Sequence, residues 1–174
     1  MPDENLEALF KSWLQAYGGA VLKVARAYTL TAEECEDLAQ EILLQLWRSL
    51  PRFAGRAGAS TWVYRVALNT ALGWHRKEGR RRARQQPLVE PEEAPLPGPD
   101  SAEQLHQREV VERLYAAIRQ LPKAEAALVL LYLEDLSYRE IASVLGISEN
   151  NVGVKLTRAR RALGELMKEV AHEF

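Results

Sequence analysis

The stretch Leu136–Leu163, LSYREIASVLGISENNVGVKLTRARRAL, decides the fold of this chain. Ser137 can cap a helix, and Glu140 follows three residues on, at the spacing of a reciprocal capping box. Leu136 and Ile141 flank that cap as a hydrophobic staple. Gly146 supplies the left-handed residue that stops a helix. Ser148 restarts one at once, with Ile147 and Val152 at staple positions. Two capped helices joined by a short Gly-containing turn predict a helix-turn-helix, the pair that reads duplex DNA. An ordinary helical hairpin is the plainer alternative, and the basic far end of the second helix speaks against it.

In that second helix Val152, Leu156, Ala159 and Leu163 share one narrow apolar stripe. Asn150, Val154, Thr157 and Arg161 lie opposite, with Asn151 and Arg158 beside them. Amides pair with adenine, a small apolar group or Thr meets a thymine methyl, and Arg reaches guanine or phosphate. For Arg161 alone a solvated surface charge reads equally well.

The chain has 174 residues, 47% of them hydrophobic and 27% charged, the balance of a water-soluble globular protein. No apolar run approaches the roughly 20 residues of a membrane span, so no direct membrane insertion is expected. The start, MPDENLEALFKSW, is acidic and amphipathic, unlike a secretory signal. Cys35 is the single cysteine, which rules out an internal disulfide and fits a reducing, cytoplasmic compartment. It reads as a structural residue before a redox one.

The net charge of −1 hides a segregation. Residues 1–50 hold four Lys and Arg against eight Asp and Glu, whereas residues 51–86 hold nine against one. A block that basic in an acidic protein is a footprint for a polyanion. The acidic front half points to a different, basic partner.

Residues 87–101, PLVEPEEAPLPGPDS, carry five prolines and read as an extended acidic linker between two domains, 1–86 and 102–174. Both sides read helical throughout, so the expected class is all-α. A first helix runs from about Glu4, is interrupted near Gly18–Gly19, and resumes to about Tyr28. Thr31 and Glu34 form a second capping box, opening a helix that Pro51 ends. A basic loop with Gly55 and Gly58 follows, and Ser60 caps a long helix, TWVYRVALNTALGWHRKEGRRRAR. Beyond the linker, helices are expected from about Ser101 to Leu121 and from Pro122 to about Glu134.

No catalytic constellation stands out, and neither cofactor nor metal is expected. His75, His106 and His172 are isolated, no paired Cys or His spacing suits zinc, and no Gly-rich phosphate loop occurs. Instead Trp62, Tyr64 and Trp74 interleave with Arg65, Arg76 and Lys77. Aromatic platforms in a basic groove suit unstacked single-stranded bases, although each Trp alone reads more readily as core. The loop Arg52–Ser60 has no reason to carry two arginines unless something anionic comes near.

Three segments carry a family resemblance: EDLAQEILLQLWRSLPRF (Glu36–Phe53), STWVYRVALNTALGWHRKEGRR (Ser60–Arg81) and the helix-turn-helix. Together they resemble regions 2 and 4 of the sigma-70 family, and more narrowly its small extracytoplasmic-function, or group 4, sigma factors. The match spans about Leu6 to Leu166. It implies a transcription initiation factor that binds the β′ and β subunits of bacterial RNA polymerase core and directs it to promoter DNA. It places core-polymerase contacts at Asp37, Gln40, Glu41, Gln45 and Arg48, where acidity suits a basic coiled coil. It places −10 element contacts at Arg52, Arg56, Ser60, Thr61, Trp62, Arg65, Asn69, Arg76 and Lys77, with Asn69 near an extruded base. It places −35 contacts at Ser137, Tyr138, Arg139, Asn150, Asn151, Val154, Lys155, Thr157, Arg158 and Arg161. It also implies control by a separate anti-sigma factor, since no long C-terminal extension follows.

One departure concerns the reading helix, where the family often has Thr-Val-Lys-Ser-Arg and this chain has Asn151-Val152-Gly153-Val154-Lys155. Gly153 costs about 1 kcal/mol of helix propensity relative to Ala and removes a side chain often aimed at DNA. Two rival functions remain on the residues alone. A stand-alone DNA-binding regulator would need neither the acidic helix nor the basic aromatic block. A polymerase-binding decoy would not need the nine-cation block.

Overall fold

The computed structural model describes residues 2–84 and 101–172. They form α1 (Pro2–Ala27), α2 (Ala32–Ser49), a 3-10 turn (Leu50–Arg52), α3 (Ala59–Arg84), α4 (Ala102–Gln120), α5 (Lys123–Leu133), α6 (Tyr138–Leu145) and α7 (Glu149–His172). No strand occurs among the described residues, as expected of an all-α chain. The chain divides into two compact units, the first built on α1, α2 and α3, the second on α4, α5 and α7. Of the expected linker, residues 87–100 lie outside the described residues. Ser101 does not: it N-caps α4 in a complete capping box with Gln104.

In the first unit, α1, α2 and α3 pack pairwise around Val24, Leu38, Ile42, Leu50 and Val63. Phe53 sits edge-on between Trp13 and Trp62, with ring centroids 4.9 and 5.6 Å away. Such pairs add about 0.5–1.5 kcal/mol each beyond their burial, so they pin the turn after α2 into the core. Thr31 caps α2 as expected, accepting from the Glu34 N–H at 3.1 Å. The Glu34 carboxylate reaches one residue further out than a standard box, to the Leu30 N–H at 2.9 Å, and also pairs with Arg82 near the end of α3. Partial burial opposes ionisation of Glu34, but these donors override it and hold the carboxyl below its usual range.

Two expectations are corrected here. Gly18 and Gly19 do not interrupt α1, which runs unbroken across them. Each costs about 1 kcal/mol against Ala, and burial of Trp13, Val21 and Val24 on either side offsets that cost. The second correction is that α3 begins at Ala59, with the Trp62 N–H donating to the Gly58 carbonyl at 3.1 Å, so Ser60 sits inside the first turn. Gly55, at φ 68°, turns the loop back early. The inward facing of Thr61 and Val63 then sets the register.

In the second unit, α5 is buried on all sides from Ala126 to Leu131. Helix α5 ends at Leu133 with Glu134 as its C-cap, and Asp135 just beyond takes the left-handed role usually given to Gly (φ 58°). The Leu136 N–H then returns to the Leu131 carbonyl at 3.3 Å. Both halves of the Ser137–Glu140 capping box form, at 2.7 and 3.2 Å, and hold the Glu140 carboxyl below its usual range. Gly146 adopts φ 68°, the Ile147 N–H closes on the Ala142 carbonyl at 3.2 Å, and Ser148 caps α7. The stripe Val152, Leu156 and Ala159 is fully buried, and Leu163 is half-buried. Arg160 lies over the Tyr132 ring, 5.0 Å from its centroid. No helix among the described residues is long and apolar enough to cross a membrane.

Candidate polymerase and promoter interfaces

Helix α2 turns Leu38, Ala39, Ile42 and Leu46 into the core. Asp37, Gln40 and Arg48 are exposed, whereas Glu41 and Gln45 are half-buried and bonded to each other, Gln45 Nε2 donating to Glu41 Oε1 at 2.8 Å. Two residues not expected at this site join the outer face: Leu44 and Trp47, each 41% exposed. Trp47 meets Phe10 edge-on, with centroids 5.3 Å apart. Large apolar side chains left partly in water beside acidic ones have the composition that partner surfaces favour. In a run containing Leu43, Leu46 and Leu50 they pass for core, and only the observed packing separates them.

Glu41 and Gln45 instead help line a groove of about 460 Å³ with Asn69, Trp74, Lys77 and Glu78 of α3. The structure thus joins residues that were expected on two different surfaces. Trp74 is half-buried with Asn69 and Lys77 exposed beside it, so the groove combines an aromatic wall, an amide and a cation. Glu78 contributes a buried Oε2 that accepts no hydrogen bond, with Arg81 Nε at 3.4 Å.

Of the other residues expected near single-stranded DNA, Arg52, Arg56 and Arg76 are exposed, while Ser60 and Arg65 are half-buried. Thr61 is a correction: it is only 9% exposed and forms part of the packed interior. Trp62 is half-buried, holds Phe53, and donates from Nε1 to Ser49 Oγ at 3.1 Å, which makes it a wall of the unit. Trp74 is the aromatic that opens on the groove.

On the helix-turn-helix, Ser137, Tyr138, Arg139, Asn150, Asn151, Val154, Lys155, Thr157, Arg158 and Arg161 are all exposed. Thr157 Oγ1 donates to the Gly153 carbonyl at 2.9 Å. Cys35 is half-buried, and burial pushes its thiol up, away from the thiolate that redox chemistry needs. No cluster of metal-ligating side chains occurs among the described residues.

The pattern of Sigma-70 region 2 matches residues 13–81, and that of Sigma-70, region 4 matches residues 111–163. The RNA polymerase sigma-H factor of Pseudomonas aeruginosa is 31% identical over 165 residues, covering 90% of this chain and 85% of that protein. The ECF RNA polymerase sigma-E factor of Haemophilus influenzae is 31% identical over 150 residues, covering 81% and 79%. This chain is an extracytoplasmic-function sigma factor of the sigma-70 family. The fold agrees: the sigma factor RpoE of Bartonella quintana, solved with the anti-sigma factor NepR, superposes with a TM-score of 0.71 at 22% identity, covering 91% of this chain and 96% of that one.

As a sigma factor the protein binds RNA polymerase and directs it to promoter DNA, and the stand-alone regulator is not favoured. Both matching families are sigma-factor regions, which belong to transcription initiation factors. This sigma factor's unusual Gly153 leaves room for one methyl group: a Cβ there would lie 3.5 Å from Tyr138 Cε2, an ordinary contact. Gly153→Ala is therefore expected to stabilise the second unit by up to about 1 kcal/mol, seen as a raised midpoint in thermal unfolding. An unchanged or lowered midpoint would mean that the ring must shift.

Proposed function

We propose that the two units divide promoter work, the first (1–86) gripping core polymerase and the −10 element, the second (102–174) reading the −35 duplex. The observation that carries this is the separation of two surfaces on one small helical unit. The outer face of α2 offers an acid, an amide and two apolar side chains, Asp37, Gln40, Leu44 and Trp47, as a partner helix would need. The groove toward α3 offers Asn69, Trp74 and Lys77, which suit an unstacked base and its phosphate. Arg52 and Arg56 stand on the loop before α3, and the cationic end of α3 extends the same electrostatic attraction. On α7, Asn150, Asn151, Val154, Thr157 and Arg158 meet base edges, while Lys155 and Arg161 reach phosphates; Ser137, Tyr138 and Arg139 support them from the start of α6. Acidic residues of the 87–101 segment occupy a basic channel of the polymerase. The protein works in the cytoplasm, needs no cofactor, and is held in check by a separate anti-sigma factor.

Arg56→Ala and Asn69→Ala test the first unit's role. Each is expected to lower open-complex formation roughly tenfold, the worth of one polar contact to a base or phosphate, while duplex binding by the second unit persists. A pre-melted bubble rescues Asn69→Ala if its fault is strand separation, and leaves it defective if the fault is holding the flipped base. Permanganate footprints with wild-type melting in both variants would refute the assignment.

A further inference from the structure

The outward face of α7 is less polar at its middle than its sequence suggests. Val154 is 49% exposed, and Thr157, three residues on, is its neighbour on that face. The Thr157 hydroxyl is committed to the Gly153 carbonyl. Bonded back into its own helix, it leaves the methyl as the group that an approaching ligand meets. Gly153 has no side chain, and the Tyr138 ring lies against that gap, 43% exposed. Tyr138, Val154 and Thr157 therefore present a strip of apolar surface, with Asn150 and Asn151 before it and Arg158 and Arg161 after it. A guanine or cytosine edge against that strip would lose water without gaining a hydrogen bond. Only thymine offers an apolar group in the major groove, its 5-methyl.

We propose that Val154 and Thr157, shouldered by Tyr138, form a methyl-reading strip through which this sigma factor selects thymine 5-methyl groups in its upstream promoter element. This rests on the duplex-reading role of α7 and adds the chemical group that is read. Val154 and Thr157 are both exposed, so specificity here comes from shape and burial, with the flanking amides and cations supplying hydrogen bonds and register.

The test uses the full chain with core polymerase. Selection from duplexes randomised upstream first defines the preferred element. Each dT in it is then replaced singly by dU, which deletes only the methyl. At one or two positions dU is expected to weaken binding about fourfold, the worth of burying one methyl. That penalty should shrink toward none in Val154→Ala or Thr157→Ser, and persist in Thr157→Val, which keeps a methyl without the hydroxyl. Both sites are exposed, so these variants fold. A selected element with no thymine on either strand, or dU that binds like dT throughout, overturns methyl reading and leaves α7 a duplex reader. If Val154→Ala and Arg158→Ala both select the wild-type element with wild-type affinity, α7 does not read DNA, and the −35 assignment falls with the proposal.

Discussion

A chain carrying Asp37→Lys and Trp47→Ala together is expected to bind core polymerase about a hundredfold more weakly than the wild type, by titration of labelled core. An aromatic anchor at the centre of an interface contributes about 2 kcal/mol or more, and reversing a charge that faces a complementary surface adds to that loss. Both residues stand on the outer face of α2, away from the buried Leu38, Ile42 and Leu46. The substitution strips one edge-on contact from Phe10, a local cost of about 1 kcal/mol, so thermal unfolding must accompany the titration. Glu41 is left alone on purpose. It is bonded to Gln45 and lines the groove with Asn69 and Lys77, so its reversal would mix a DNA defect with a polymerase defect. A folded double variant that assembles like the wild type would take the polymerase face off α2.

Leu156→Ala should destabilise the second unit by about 2–5 kcal/mol, measured by chemical denaturation. Leu156 is fully buried, in line with Val152 and Ala159 on the stripe that holds α7 in place. Folded domains rest on about 5–15 kcal/mol in total, so this one change removes a large share of the unit's stability and should weaken duplex binding where heat or denaturant brings the unit near its unfolding midpoint. Val154→Ala, on the opposite face, should leave stability unchanged and alter only which sequence is preferred. A Leu156→Ala chain that loses less than about 1 kcal/mol would show that α7 is not held by that stripe.

Much of this fold is legible from interactions that span three or four residues. Ser137 with Glu140, Thr31 with the Glu34 amide, Gly146 at φ 68° and the Val152–Leu156–Ala159 stripe all lie where their spacing puts them. A cap or a stripe is a local event: its partners are a turn apart on one helix, so sequence distance and spatial distance agree. Charge segregation is legible for the same reason, since it needs only counting along the chain.

What the sequence by itself determined, then, is the all-α class, the capped helix-turn-helix and the family. Only the tertiary structure decided how helix faces meet. Burial of Trp13, Val21 and Val24 carries α1 through Gly18–Gly19, because packing gains exceed a propensity cost of about 1 kcal/mol per glycine. Mutual packing of α1, α2 and α3 buries Thr61 of α3, leaves Leu44 and Trp47 of α2 in water, and sets Glu41 and Gln45 beside Asn69. The Tyr138 ring over Gly153 likewise depends on how α6 crosses α7. Each of these contacts joins residues on different helices, and the angle at which two helices pack is set by the whole core, so no local spacing encodes it.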